Sequence, residues 1–228
     1  MNRSLWAVVP VKDLRHAKQR LAPALSATER WVLFRAMLED VLSALAASVG
    51  LAGILLVTRD PEARALGPRF GAQVLVEDEN RGHTAATSLG ARVLAQRGVA
   101  GMVQVPADVP LLAPDDVTAV LEAHGEAPAV TLAPSRDERG SNAVACSPPD
   151  VLPLRFGDDS FFPHLRRARA LGIEPQIVRR AGLALDVDAP ADLAAFLVAP
   201  SETRACAYLA ESGIAERLMR PRAQSAPP

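Results

Sequence analysis

The sequence predicts a single α/β domain built on a mostly parallel sheet, and three observations carry that prediction. Short apolar runs alternate along the chain with longer segments of helical pattern, the signature of repeated strand and helix units. The runs are continuously apolar, as strands are when both faces of their sheet are covered. The most charged segments follow directly on these runs, at the strand ends where open α/β sheets bind ligands. With 228 residues, 49% of them apolar, the chain can bury one core of ordinary size without metal or disulfide support.

Taken in order, residues 5–11 form the first apolar, β-branched run. Ser26-Ala27-Thr28-Glu29 is a capping box that opens a long helix with Trp31, Phe34, Leu38, Val41 and Leu45 on one broad face. Runs at 53–58 and 73–76 predict two further strands, separated by a short helix over 61–66 that begins at Pro61. A helix over 84–96, a strand over 102–105 and a helix over 114–124 follow. In the second half, 129–133 and 142–146 read as strands around a polar loop, 160–171 as a helix and 176–179 as a strand. Helices over 190–198 and 203–219 close the chain, and 221–228 reads as a disordered tail, so one domain is expected over residues 1–220.

Composition removes several function classes. Lys plus Arg number 25 against 26 Asp plus Glu, so no general attraction to nucleic acid or to an anionic membrane follows. No apolar stretch approaches the ~20 residues of a membrane span, and residues 5–11 are too short for a signal-peptide core, with Pro10 inside them and Lys12 and Asp13 next. Cys146 and Cys206 stand far apart in no ligand spacing, which suits buried apolar fillers in a reducing compartment. A cytoplasmic protein is expected. The apolar residues Tyr208, Leu209, Ile214 and Leu218 of the last helix leave two partners open, the domain itself or a second copy in a homodimer.

The chemistry is carried by acids at predicted strand ends and by one basic loop. In Asp186-Val187-Asp188 an extended chain puts both carboxylates on the same side. That arrangement suits a hard cation such as Mg²⁺, which takes a few carboxylates and leaves its other positions to phosphates and water. Asp108, in Val105-Pro106-Ala107-Asp108-Val109-Pro110, ends another run and supplies a third carboxylate. The bland alternative is that Asp186 to Asp192 only caps a helix starting at Pro190. The loop after the first strand holds Lys12, Arg15, His16, Lys18 and Arg20 within nine residues. Lys12, Lys18 and Arg20 are candidates to hold phosphate oxygens and stabilise departing pyrophosphate. The combination reads as a metal-dependent nucleotidyl-transfer site.

Pro-Val-Lys at 10–12, Ala-Lys-Gln-Arg-Leu at 17–21, Ala-Asp-Val-Pro-Leu-Leu at 107–112, Ser-Asn at 141–142, Phe-Gly-Asp-Asp-Ser-Phe at 156–161 and Leu-Asp-Val-Asp-Ala-Pro-Ala-Asp-Leu at 185–193 together closely resemble the 2-phospho-L-lactate guanylyltransferase family. Each motif is weak alone; their order and spacing are specific, and the resemblance spans residues 5–198. It implies a nucleotide-diphospho-sugar-transferase-like (GT-A type) sandwich with a mixed, mostly parallel sheet. It implies transfer of GMP from GTP to a small phosphorylated three-carbon acid, with Mg²⁺, in the making of coenzyme F-420. Family acceptors are 2-phospho-L-lactate, phosphoenolpyruvate and 3-phospho-D-glycerate. By position, the resemblance puts Mg²⁺ on Asp108, Asp186 and Asp188 and the triphosphate on Lys12 and Lys18; Arg20 of the basic loop and Gly82 are further nucleotide-binding candidates. Catalysis falls to Lys12, Lys18 and Asp108, and the acceptor's anionic groups to Ser141, Gly157 and Ser160. Gly157 permits close backbone approach, and Ser160 can open a helix whose free N–H groups attract an anion.

The chain departs from the family at two places. Arg81-Gly82-His83-Thr84 stands where Gly-Leu-Asn is usual, which bears on base choice, and Ser141 stands where Thr is common. His16, His124 and His164 have no spacing that suggests a metal or a triad and read as ordinary surface or core residues. Since a phosphate nucleophile is already anionic at neutral pH, no protein base is required. Other readings stay open: a nucleotidyltransferase for another acceptor, such as a molybdopterin or isoprenoid precursor, or a non-catalytic nucleotide-binding module. The missing Gly-rich loop after the first strand speaks against the former, and the presence of all three aspartates and both lysines against the latter. A scaffold protein would leave the basic loop and acids without a purpose.

Overall fold

The computed structural model describes residues 5–157 and 159–219, so the tail expected over 221–228 lies outside the described residues. Seven strands form one sheet: β1 (Leu5–Pro10), β2 (Leu51–Val57), β3 (Gln73–Leu75), β4 (Gly101–Gln104), β5 (Ala129–Pro134), β6 (Ser141–Ser147) and β7 (Gln176–Ile177), in the order β3-β2-β1-β4-β6-β5-β7. Strand β6 runs antiparallel to both neighbours, and every other pair is parallel. The continuous apolar runs are explained by alternation between two cores. In β1, Ala7 and Val9 pack on one face and Val8 on the other; in β2, Ile54 and Leu56 oppose Leu55 and Val57; in β6, Ala143 and Ala145 oppose Val144 and Cys146. Burial pushes the Cys146 thiol up to about 12 and leaves it an inert filler.

Helix α1 (Ala27–Ala47) covers the first face and starts at the expected capping box: Ser26 Oγ accepts from Glu29 N–H (3.3 Å), and Glu29 accepts from Ser26 N–H (2.7 Å). Helix α2 (Pro61–Leu66) follows β2, α3 (His83–Gln96) packs against β1 from the other side, and α4 (Pro114–Ala123) follows β4. Helix α5 (Phe161–Ala170) belongs to the second face, where Phe161 and Ala168 are buried. After it come α6 (Ala181–Ala184) and α7 (Pro190–Val198). The helix expected over 203–219 is two helices, α8 (Arg204–Glu211) and α9 (Ile214–Met219). The break falls at Gly213, whose φ of 72° is a left-handed turn that ends a helix. Helix α8 packs on α1 of the same chain, and Leu209 and Ile214 are fully buried. Among the described residues no helix is long and apolar enough to cross a membrane.

The reversed strand sets the site. Ser141 and Asn142 begin β6, but because β6 opposes β4 in the register Gln104↔Val144, they lie at the edge where β4 ends. Residues before a strand and residues after its neighbours therefore meet at one rim.

Candidate active site

That rim opens on a cleft of about 1070 Å³. One wall is the loop after β1. Its Leu14 is fully buried, and Leu14 N–H donates to Asp60 Oδ2 (3.1 Å), while Asp60 Oδ1 caps α2 through the N–H groups of Glu62 and Ala63 (both 2.9 Å). Pinned at its middle, the loop leaves Lys12 and Arg20 exposed on the cleft, sets Arg15 over the Trp31 ring (5.7 Å) and pairs His16 with Asp13 (2.8 Å). Lys18 turns inward in a left-handed conformation (φ 56°), which costs a residue with a Cβ about 1–2 kcal/mol. Its ammonium lies 2.5 Å from Asp108 Oδ2 and 2.6 Å from Asp188 Oδ1, with its side chain only 4% exposed. Burial works against the Lys18 charge, but the two carboxylates outweigh it and raise its pKa. Desolvation likewise acts to raise Asp188, yet Lys18 above all, then Arg20 and Lys12, hold it below the usual carboxylate value.

The acids converge differently from the expectation of two strand ends. Residues 185–188 are not part of any strand; they hang on one backbone bond, Val187 N–H to Asp108 O (3.0 Å). The alternation of an extended chain survives, with Val187 fully buried and Asp186 and Asp188 lining the cleft. Capping of α7 falls to Asp192, whose Oδ2 accepts from the N–H groups of Asp188 (3.3 Å) and Ala189 (2.9 Å), and Asp188 is left to Lys18. Asn142, to which the sequence reading gave no role, donates to Leu183 O (2.9 Å) and Asp186 Oδ1 (3.0 Å). Burial raises the Asp186 pKa; the Asn142 amide opposes this, and the charges of Asp108 and Asp188 add to it. Three carboxylates in one cleft are the hard oxygen donors that Mg²⁺ takes. In their present positions Lys18 occupies two of them, and among the described residues no three His, Cys, Asp or Glu side chains are placed to share an ion. Lys18 takes one oxygen of Asp108 and one of Asp188.

The cleft is also lined by Ser141, Gly157 and Ser160. Ser160 Oγ accepts from Ser141 N–H (2.9 Å), with only 2% of Ser160 and 6% of Ser141 exposed. The N–H groups of Ser160 and Phe161 both donate to Arg139 O (2.8 and 2.9 Å), and Pro163 has none to offer. The β5–β6 hairpin thus takes two of the N–H groups expected to be open at this helix start. Gly157 has φ 152°, and a Cβ there would meet nothing within 4 Å, so that face is open to the cleft.

His164, read as an ordinary residue in the sequence, is fully buried here, and His83 is half-buried. Arg155 N–H donates to His164 Nε2 (3.0 Å), and His164 Nδ1 lies 3.0 Å from Ser141 Oγ. The Phe156 ring packs between His83 (4.5 Å between centroids) and His164 (5.1 Å), and Phe156 N–H donates to Thr84 Oγ1 (2.9 Å). This ties the start of α3, with Gly82 on the cleft just before it, to the corner of Ser141 and Ser160. Burial depresses both imidazoles to about 4, with Lys12 adding to this at His83 against the pull of Asp108, and Arg167 adding to it at His164. The one sequence signal for His164 is its place four residues after Ser160, on the same helix face. Arg136 and Arg139 of the hairpin also line the cleft, and no motif pointed to them.

Comparison with known proteins agrees with this architecture. The family described as "Guanylyl transferase CofC like" matches residues 5–224. A phosphoenolpyruvate guanylyltransferase from Rubrobacter xylanophilus is 40% identical over 195 residues, 84% of this chain and 92% of that protein. A 2-phospho-L-lactate guanylyltransferase from Methanothermobacter thermautotrophicus is 33% identical over 203 residues, 89% of this chain and 88% of that protein. Among solved structures, a putative nucleotide-diphospho-sugar transferase from Desulfovibrio desulfuricans superposes with TM-score 0.77 over 96% of this chain and 99% of its own, at 17% identity, which speaks to the fold alone. The expected fold class is therefore the observed one, and the chain belongs to the CofC-like guanylyl transferase family.

Proposed function

We propose that this protein transfers GMP from GTP to the phosphate of a small phosphorylated three-carbon acid and releases pyrophosphate, as a step of coenzyme F-420 biosynthesis. The observation that carries the reading is one cleft lined both by a cluster of cations and carboxylates and by two serine hydroxyls with an open glycine, with Arg136 and Arg139 beside them. Phosphoenolpyruvate is the first acceptor to test, since the relative at 40% identity carries that name.

In this reading a phosphate oxygen of the acid attacks the α-phosphorus of GTP, the new P–O bond forms in line with the bond to the β-phosphate, and pyrophosphate leaves with that bond's electron pair. Lys12 and Arg20, exposed on the same wall, bind the triphosphate. Lys18 leaves Asp108 and Asp188 for the triphosphate as it binds, which frees both carboxylates before the attack, and then stays with the departing pyrophosphate. Asp108, Asp186 and Asp188 would then hold Mg²⁺, whose positive charge offsets the repulsion between two polyanions. Asn142 fixes Asp186 for that task. No residue acts as a base, and the lowered pKa of His83 and His164, which keeps both neutral near pH 7, fits that division of labour. The two free thiols fit a reducing, cytoplasmic setting.

The test is pyrophosphate release by the purified chain with Mg²⁺, each of the four nucleoside triphosphates, and each of phosphoenolpyruvate, 3-phospho-D-glycerate and 2-phospho-L-lactate. GTP with one of the acids is expected to exceed all other pairs. Preference for CTP or ATP would place the effect of the Arg81 to Thr84 departure in the base pocket, and no release with any acid would reject the acceptor class.

A further inference from the structure

We infer that His164 is a positioning residue for the acceptor: through its Nδ1–H it fixes Ser141 so that the serine hydroxyl proton is presented to an anionic group in the cleft. The inference rests on the acceptor reading above and adds to it a residue that does not itself line the cleft.

The tautomer follows from the hydrogen bonds. A backbone N–H can only donate, so His164 Nε2, which receives Arg155 N–H at 3.0 Å, must be the unprotonated nitrogen. A neutral imidazole then carries its proton on Nδ1, which donates to Ser141 Oγ at 3.0 Å. Ser141 Oγ is therefore an acceptor toward His164, and its own proton cannot point back there. It must be donated elsewhere, and Ser141 lines the cleft. The neighbouring Ser160 is set the same way, since its oxygen accepts Ser141 N–H at 2.9 Å and its proton is also left to donate. Two hydroxyls whose oxygens are already engaged by N–H donors form a neutral donor pair, and a donor pair selects for a carboxylate or phosphate oxygen. His164 is fully buried and held from the side by the Phe156 ring, so the arrangement is fixed before substrate arrives.

The two imidazole nitrogens can be tested separately. In His164→Asn the side-chain amide N–H falls near Nδ1, keeping the bond to Ser141 and losing the acceptor for Arg155 N–H. In His164→Gln the amide reaches the Nε2 position, keeping Arg155 and losing Ser141. Steady-state kinetics with GTP and the best acid, on wild type, both variants, Ser141→Ala and the Ser141→Ala/His164→Gln double variant, read the difference, with thermal melting to report folding. The expectation is that His164→Gln raises the acid KM by about tenfold, the loss of one hydrogen bond to a charged group. His164→Asn stays within about twofold, GTP KM is unchanged throughout, and the double variant is no worse than Ser141→Ala. Equal effects of the Asn and Gln variants, or a raised acid KM in Ser141→Ala with a normal one in His164→Gln, would overturn the role of His164. An unchanged acid KM in Ser141→Ala would instead reject the placement of the acceptor.

Discussion

The loop after β1 and the β6–α5 corner face each other across one cleft, and they are held by opposite kinds of force. On the loop side the contacts are ionic: Lys18 sits between Asp108 and Asp188, itself held in a left-handed conformation, while Lys12 is exposed. On the corner side they are neutral hydrogen bonds in a buried chain, from Arg155 N–H through His164 and Ser141 to Ser160. Lys18, buried and bound to two carboxylates at 2.5 and 2.6 Å, can leave them only where other anions take their place, and an incoming polyanion supplies those. A buried neutral network is fixed in advance, since breaking any member leaves a polar group without a partner. The loop side is thus suited to a triphosphate that arrives, reacts and leaves as pyrophosphate. The corner side is suited to recognising a small acid by shape.

If this contrast holds, charge removal on the loop side has the largest effect. Asp108→Asn and Asp188→Asn are each expected to lower turnover at least about a hundredfold, with melting temperature falling less in Asp188→Asn, whose side chain is 44% exposed, than in Asp108→Asn, at 21%. Either variant turning over normally in excess Mg²⁺ removes that carboxylate from the chemistry. On the corner side, Gly157→Val is expected to raise the acid KM by about tenfold or more while leaving GTP binding intact. Its φ of 152° is disfavoured for a β-branched residue, at a stability cost of about 1–3 kcal/mol, and the space a side chain would take is open cleft. Unchanged kinetics would show that the acid does not approach this backbone.

A smaller effect concerns pH. His83 and His164 have folded pKa values of about 4, against about 6.5 in the unfolded chain. Both states are neutral above 6.5, so stability is complete there. Between 6.5 and 4 the unfolded chain binds protons that the fold refuses, and stability falls with pH. The raised pKa values of buried Asp186 and Asp40, for which desolvation is the leading cause, act in the opposite sense toward the lower end of that window. Melting temperature should therefore decline from pH 7 to pH 4.5, and His164→Gln should flatten part of the decline. An identical slope in the variant would show that the His164 network does not hold the imidazole neutral.

The ionic side was the more legible of the two in the sequence. A cluster of basic residues and an Asp-x-Asp pair are local patterns, as are the capping box of α1 and the apolar runs that became β1, β2 and β4. What is made only by folding was hidden. Lys18 meets Asp108 and Asp188 across 90 and 170 residues of chain, His164 meets Ser141 across 23, and Asn142 meets Asp186 across 44. The reversed direction of β6 left no mark in its own composition, because a strand covered on both faces is apolar whichever way it runs. That reversal brings Ser141 and Asn142 to the rim, so the contact of Asn142 with Asp186 depended on a topology that no local pattern encodes.

The division of the cleft is tested most directly by the KM values of both substrates in Lys12→Ala and Ser141→Ala. The loop-side variant is expected to raise the KM for GTP and leave that for the acid within about twofold, since Lys12 lies in the ionic wall with no part in the Ser141 network. Ser141→Ala is expected to do the reverse, by about tenfold or more. A crossed pattern, with Lys12→Ala raising the acid KM and Ser141→Ala that of GTP, would contradict the account.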